Sequence, residues 1–280
     1  MKHLCLNLKR FDVPAEAGGV NRLSSPDLWA ETIVSRVKEE LAAYEGKARF
    51  PMYFPEAHLI GAVREAGDSK VIEAGCQGVY RQDVAPGGNF GAYTTNRPAA
   101  AMKALGVKST IIGHCEERND LSGVLAEAGV TDTAAVSRIL NQEVKCAVNN
   151  GLTVTFCIGE KAEERENWQE VLSAQLSEGL KDIDCSNVVI AYEPVWAIGP
   201  GKTPPGADVI RPIAQFIKEK TNGLPVVYGG GLKQDNAEML ASIPEIDGGL
   251  IALTRFTGEI GFYPEEYLDI IKIYLEHCSE

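Results

Sequence analysis

The sequence predicts an α/β protein, a single closed (β/α)8 barrel spanning residues 1–280. Short apolar runs recur eight times along the chain, and segments with the spacing of an amphipathic helix separate them. Strict alternation of this kind predicts parallel strands joined by right-handed crossovers, and eight such units close into a barrel. No GxGxxG motif follows the first strand, which disfavours the rival fold, an open doubly wound sheet.

The strands are predicted from runs rich in β-branched residues. In residues 188–191, Val-Val-Ile-Ala, apolar side chains follow one another without alternation, as is typical of a strand covered on both faces. The eight strands are expected to begin near Leu4, Arg49, Val71, Thr110, Thr153, Val188, Val226 and Leu250.

The helices are predicted from amphipathic spacing between these strands. They are expected over residues 25–44, 99–105, 133–149, 160–180, 207–220, 234–241 and 264–277. Ser25-Pro26 gives the first of them a capping residue and a first-turn proline.

Two connections, 10–24 and 77–96, are unusually long. Both follow strands, so we expect them to form extended loops after strands one and three, on the catalytic face of the barrel.

Composition excludes several classes of partner. A net charge of −12 argues against nucleic acid, which requires clustered lysine and arginine. The apolar run at the N-terminus is too short for a signal peptide, and no stretch approaches the length needed to cross a bilayer, so we expect a cytoplasmic protein without membrane contact. The seven cysteines lack CxxC spacing, which favours reduced thiols and argues against a zinc site.

The segment Ala191 to Lys202 is the most informative part of the chain. It joins the end of a buried strand to Glu193, Pro194 and a loop that contains Gly199 and Gly201. Carboxyl ends of parallel strands are where barrels place their chemistry. Proline ends strand pairing, and the glycines allow the loop to move or to bring its backbone against a ligand. The pattern predicts a base at the root of a mobile lid.

Polar groups follow three other predicted strands, and a barrel would bring them all to one rim. Asn7 and Lys9 follow the first strand, and His114 and Glu116 follow the fourth. A carboxylate, an imidazole and an ammonium around one pocket can move a proton next to a carbonyl group. The glycine-rich stretch 228–231 after the seventh strand offers bare N–H groups to an anion.

These residues resemble the triosephosphate isomerase family nearly end to end. The resemblance is carried by residues 7–9 (Asn-Leu-Lys), 111–116 (Ile-Ile-Gly-His-Cys-Glu), 157–160 (Cys-Ile-Gly-Glu), 191–202 and 228–230 (Tyr-Gly-Gly). It implies a TIM barrel that acts as an aldose–ketose isomerase on a small phosphorylated sugar, without metal or cofactor. It also implies a homodimer.

The resemblance assigns roles to individual residues. It makes Glu193 the base, His114 a neutral electrophile, Lys9 a source of positive charge, Asn7 a positioning residue and Glu116 a carboxylate that orders the site. The N–H groups of Gly199 and Gly231 would bind the phosphate, with Leu253 in the eighth loop beside it. Thr94 corresponds to the loop tip that crosses the dimer interface in this family.

The sequence departs from the family pattern at several positions. Gly231 replaces a serine, and Ala252-Leu253 replaces a pair of glycines in the eighth loop, where side chains would narrow the phosphate cradle. Arg255 is then a candidate replacement charge, because a guanidinium binds phosphate bidentately. Glu117 stands where the family has arginine, and Pro200 where the lid tip has threonine.

Three functions remain open from the sequence. The leading hypothesis is interconversion of glyceraldehyde 3-phosphate and dihydroxyacetone phosphate through an enediolate. The second keeps the chemistry with a four-carbon sugar such as an erythrulose phosphate, because of the altered eighth loop. The third is a non-catalytic barrel that binds a sugar phosphate, although such a protein has no need for a base at Glu193.

Overall fold

A computed structural model describes residues 1–199 and 201–278, and its eight parallel strands form a closed barrel in sequence order. The strands are β1 (Lys2–Asn7), β2 (Ala48–Phe54), β3 (Ile72–Cys76), β4 (Ser109–Ile112), β5 (Thr153–Ile158), β6 (Val188–Tyr192), β7 (Val226–Tyr228) and β8 (Gly248–Ile251). The barrel closes where β1 pairs with β8, with His3 opposite Gly248. The predicted fold class is confirmed, and every strand begins within two residues of its predicted start.

Helices lie between the strands throughout the described residues. They are α1 (Trp29–Ala42), α2 (Leu59–Ala66), α3 (Ala99–Ala104), α4 (Cys115–Glu127), α5 (Ala135–Asn149), α6 (Trp168–Gly179), α7 (Ala207–Lys220), α8 (Ala237–Ala241) and α9 (Pro264–Glu276). None of the helices in the described ranges combines the length and the apolar character that a membrane crossing would require.

Two helices were absent from the sequence prediction. In α4 only Cys115 is buried, so the helix has almost no apolar periodicity to detect. The other, α2, is only 8 residues long. The first predicted helix began too early, because Pro26–Leu28 form a 3-10 turn before α1, and the Ser25 side chain makes no capping hydrogen bond.

The core has two layers, as alternating side chains on a closed barrel require. Inside the barrel, small and medium side chains pack with Tyr53, whose hydroxyl donates to Thr155 at 2.6 Å. Between strands and helices lies a larger apolar layer that includes Trp29, Phe50 and Phe156. Outside these two apolar layers, polar side chains gather at the carboxyl ends of the strands.

Three connecting segments surround that end of the barrel. After β1, Asp12 is buried and binds Arg10 at 2.8 and 2.9 Å and His58 at 3.0 Å. After β8, residues 252–263 form a hairpin in which Arg255 pairs with Gly261. Arg22 donates to the Ile260 carbonyl at 2.9 Å, which joins the two segments. The third segment follows β3 and runs to α3.

Candidate active site

Glu193 follows β6 directly and is 1% exposed. One carboxylate oxygen, Oε2, accepts a hydrogen bond from the Cys115 N–H at 2.8 Å. The other, Oε1, lies 3.1 Å from His114 Nε2, yet no donor of the described residues is aligned for a hydrogen bond to it. One oxygen is therefore fixed, and the other is available to take a proton.

Two glycines leave the space that Glu193 occupies. A Cβ atom on Gly159, after β5, would lie 1.8 Å from the Glu193 carbonyl oxygen. A Cβ atom on Gly229, after β7, would lie 2.7 Å from Glu193 Cγ. Both separations are impossible for real atoms, so the neighbouring strands can hold this residue only because they end in glycine.

The surroundings of Glu193 make it a stronger base than an ordinary carboxylate. Burial raises its pKa to about 8, although the Cys115 N–H and the nearby charges of Arg118 and Lys9 favour the ionised form. Its proton affinity therefore suits a base that works near neutral pH. The dominant cause is the loss of water around the carboxylate.

His114 is held as a neutral imidazole. It is the N-cap of α4, and its Nδ1 accepts from the Glu116 N–H at 3.3 Å. That bond assigns the single proton to Nε2, on the side of Glu193. Burial and the charge of Lys9 lower the pKa of His114 to about 4. The ring can therefore donate a hydrogen bond from Nε2 without carrying charge.

Lys9 follows β1 in a left-handed conformation, with φ of 42°. Such a φ is unfavourable for a side-chain-bearing residue and persists only where neighbours impose it. Here Asn7 Oδ1 accepts from the Lys9 N–H at 3.1 Å, and Gln77 Nε2 donates to the Lys9 carbonyl at 3.0 Å. Lys9 Nζ binds Glu116 at 2.6 Å. Asn7 thus orders the backbone of Lys9, and Glu116 orients its ammonium.

Gln77 and Arg118 belong to this arrangement, and sequence reasoning missed both. Gln77 stands directly after β3, the same position relative to a strand that identified the other site residues. Arg118 donates to the carbonyls of Gly113 and Cys157 at 2.9 and 2.8 Å and brings its charge near Glu193. Its position one helical turn after His114 was the available signal.

Glu117 faces away from the pocket. Its carboxylate accepts from the Gly113 N–H at 2.5 Å, just before His114. It also faces the buried Glu143, whose pKa is raised to about 9 by burial and by this second carboxyl group. The glutamate that stands in place of arginine therefore supports the end of β4.

The candidate phosphate-binding groups lie on three loops. Gly199 and Gly231 have φ of 118° and 96°, which glycine adopts readily. The Gly231 carbonyl accepts from Asn236 at 3.0 Å, while its N–H has no acceptor among the described residues. Leu253 is half-buried two residues after β8. Pro200 lies outside the described residues.

Arg255 and Thr94 make no hydrogen bond or ion pair with Glu193, His114 or Lys9 among the described residues. The Arg255 guanidinium binds Glu266 at the start of α9, at 2.5 and 2.8 Å, and stacks on Tyr263 at 3.8 Å. Thr94 is exposed in the segment after β3. The guanidinium that was expected to bind phosphate therefore already has an anionic partner within the chain.

The ligating atoms of His114, Cys115 and Glu193 lie within 4.8 Å of one another, which is close enough to hold a metal ion. A cysteine ligand must be a thiolate. In the metal-free protein, burial and the Glu193 carboxylate raise the pKa of Cys115 to about 12, so the thiol carries its proton there. His114 and Glu193 are therefore available for proton transfer in the metal-free protein.

Comparison with known proteins gives one consistent result. The sequence matches the triosephosphate isomerase family over residues 29–273. It is 34% identical over 238 residues to the triosephosphate isomerase of Leptospira borgpetersenii serovar Hardjo-bovis (strain JB197), covering 79% of this chain and 87% of the relative. It is 36% identical over 224 residues to that of Chloroherpeton thalassium, covering 75% and 79%. The solved triosephosphate isomerase of Bartonella henselae matches with a TM-score of 0.69 and 26% identity over 98% of each chain.

Proposed function

This chain belongs to the triosephosphate isomerase family, and we propose that Glu193, His114 and Lys9 perform the chemistry of that family here. The activity is that of an aldose–ketose isomerase, an intramolecular oxidoreductase that interconverts glyceraldehyde 3-phosphate and dihydroxyacetone phosphate, a step of glycolysis. The comparisons lend no support to a four-carbon substrate or to a non-catalytic barrel.

One observation carries the assignment of the base. Glu193 is fully enclosed, and its Oε1 has no aligned donor, although burial of an unsatisfied carboxylate oxygen is costly. This oxygen lies 3.1 Å from His114 Nε2 and near the charge of Lys9, which supports a role in proton transfer. We assign it to removal of the proton from the carbon next to the substrate carbonyl.

The neighbouring groups complete the reaction. As the proton moves to Glu193, negative charge develops on the substrate oxygens and forms an enediolate. The Nε2–H of His114 donates to one of these oxygens, and the Lys9 ammonium attracts the developing charge. The hydroxyl proton of the substrate passes from one oxygen to the other beside His114 Nε2, and Glu193 returns its own proton to the adjacent carbon. No net oxidation occurs, because the carbonyl and hydroxyl groups only exchange places.

The phosphate group and the lid complete the pocket. We assign the N–H groups of Gly199 and Gly231 to the phosphate, with Leu253 against it. Residues 195–197 form a 3-10 turn at the root of the lid segment. Closure of such a segment removes water, which would otherwise weaken the electrostatic stabilisation of the enediolate.

We further propose that the 280 residues act as one domain, because strands from both ends of the sequence close the same barrel. A cytoplasmic homodimer with Thr94 at the interface is proposed from the family alone. The phosphorylated sugar is the only small-molecule partner that this assignment needs.

The base assignment is tested with two substitutions of Glu193. E193Q removes the base without changing its size, and kcat should fall about 10²- to 10⁴-fold. E193D withdraws the carboxylate by about an ångström, which should cost roughly a hundredfold. Circular dichroism checks that both fold. Turnover of glyceraldehyde 3-phosphate by E193Q at the wild-type rate would refute the assignment.

Solvent isotope exchange and a substrate comparison test the rest. In deuterated water, wild type should place deuterium on the carbon of the triose phosphates from which the proton leaves, and E193Q should not. A tetrose phosphate should turn over more slowly than glyceraldehyde 3-phosphate. The reverse order would favour the four-carbon substrate.

A further inference from the structure

The eighth loop supplies no helix to the phosphate end of this site. Phosphate-binding barrels often direct the N-terminus of a short extra helix at the anion from this loop. Residues 252–263, all of them described, form a hairpin between β8 and α9 instead. The positive potential that a helix N-terminus would provide must therefore come from another group.

The segments after β7 and β8, residues 229–236 and 252–263, contain two cationic side chains, Lys233 and Arg255. Arg255 is held by Glu266 and Tyr263. Lys233 makes no ion pair with any described residue. Its Nζ lies 4.2 Å from the centroid of the Phe256 ring, and Phe256 is 45% exposed. Lys233 is therefore the cation of this region that has no anionic partner.

The backbone places Lys233 close to Gly231. The buried Asn236 accepts from the Lys233 N–H at 2.8 Å and donates to the Gly231 carbonyl at 3.0 Å, which fixes the turn between them. Lys233 Cε lies 3.7 Å from the position that a Cβ atom on Gly231 would take. The side chain thus curls back over the glycine whose unpaired N–H is assigned to the phosphate.

We propose that Lys233 is a substrate-binding residue whose ammonium contacts the phosphate group of the sugar. This inference rests on the proposed function. In the free protein the ammonium lies over Phe256, and an exposed cation–π contact is weaker than a charge-assisted hydrogen bond to a phosphate. The anion therefore draws Lys233 away from the ring. A lysine side chain replaces the backbone dipole that residues 252–263 lack.

K233M tests the proposal, because methionine keeps most of the apolar stem and removes the charge. We expect KM for glyceraldehyde 3-phosphate and the inhibition constant of inorganic phosphate each to rise at least about tenfold. Turnover of unphosphorylated glyceraldehyde should not change, since it has no phosphate to bind. K220M is the matched control, because Lys220 also lies over an aromatic ring, that of Phe216, on the outer helix α7.

The outcomes separate this inference from the proposed function. Unchanged KM and phosphate inhibition in K233M, with E193Q inactive, would overturn the role of Lys233 alone. An equal loss with glyceraldehyde and its phosphate would show a structural role and would also overturn it. If K233M folds poorly, K233Q replaces it. The increase in Tm that inorganic phosphate causes is then compared between the wild type and each variant. An active E193Q would instead overturn the proposed function.

Discussion

At the scale of single residues, the site separates the proton affinities of two groups that touch. Burial raises the pKa of Glu193 to about 8 and lowers that of His114 to about 4. Desolvation acts in opposite directions on an acid and a base, since it disfavours the charged form of each. The same dry pocket therefore gives a strong base and a neutral donor.

This separation predicts the pH dependence of catalysis. Glu193 must be ionised in the free enzyme to accept the proton, so kcat/KM should increase with pH through an apparent pKa near 8. His114 should add no second transition near its usual pKa, because its own lies near 4. A pH profile of kcat/KM between pH 5 and 10 measures both.

Glu116→Gln provides the internal check on that profile. The negative charge of Glu116 disfavours ionisation of Glu193, so its removal should move the transition to lower pH. A wild-type transition near pH 4.5 would contradict the assignment of the profile to Glu193. So would a transition that moves to higher pH in E116Q.

At the scale of secondary structure, strand ends position Glu193, the proposed base. Gly159 and Gly229 leave room for Glu193 at the ends of β5 and β7, so the position of the carboxylate depends on residues that have no side chain of their own. The segment after β1 is also held in place near its strand. Its carboxylate anchor, Asp12, would have a raised pKa from burial alone, yet the hydrogen bonds from Arg10 and His58 lower that pKa to about 2.

Gly229→Ala should therefore damage catalysis without altering any catalytic group. Its Cβ atom would push against Glu193 Cγ and against the Tyr192 carbonyl, 2.9 Å away. A displacement of about an ångström should lower kcat roughly a hundredfold. Steady-state kinetics and thermal unfolding measure the effect.

Gly123→Ala is the control for that variant. Gly123 lies within α4, and a Cβ atom there would meet nothing within 4 Å. The substitution should stabilise the helix by about 0.5–1 kcal/mol and leave kcat unchanged. Normal kinetics in Gly229→Ala would show that β6 tolerates displacement and would remove the proposed role of the glycine.

At the scale of the whole molecule, the active site costs stability. The unfolded chain loses the Glu193 proton above the ordinary pKa of 4.5, whereas the folded protein retains it up to about 8. The folded state of the wild type therefore loses stability as pH increases across that interval, by at most about 1.4 kcal/mol per pH unit. Below pH 4.5 the protonation of Glu193 does not change the free energy of unfolding. Above about pH 8 the loss of stability no longer depends on pH.

Glu193→Gln removes this titration. The difference in Tm between the variant and the wild type should therefore shift in favour of the variant as pH increases from 5 to 9. Calorimetry at several pH values measures it, with E39Q as the control for loss of an exposed charge. A difference independent of pH would mean that Glu193 ionises normally in the folded protein.

The fold was largely predictable because the signals of a barrel repeat eight times along the sequence. Buried strands such as Val188–Tyr192 have no polar residues to obscure them. Helix α4 was not predictable from periodicity, since Cys115 is its one buried residue and only the half-buried Leu121 and Leu125 extend its apolar side. It presents His114 and the Cys115 N–H to the site.

The site was predictable only in part, for a related reason. Residues directly after strands, such as Glu193 and Lys9, could be placed at one rim from the topology alone. Whether a side chain points into the pocket or pairs with another loop depends on contacts between loops that are distant in the sequence. Arg255 was therefore expected at the phosphate, whereas its guanidinium binds Glu266, and no pattern in the sequence singled out Lys233 beside Gly231.

The pairing of β1 with β8 has a consequence for the synthesis of the protein. His3 meets Gly248, and Arg22 meets Ile260, so the partners of the first strand are translated last. At about 5–20 residues per second, a ribosome needs roughly 12–50 s to pass from one to the other. During this time Lys9 has no closed barrel around it, and isomerase activity should first appear in a nascent chain only after the eighth strand has emerged.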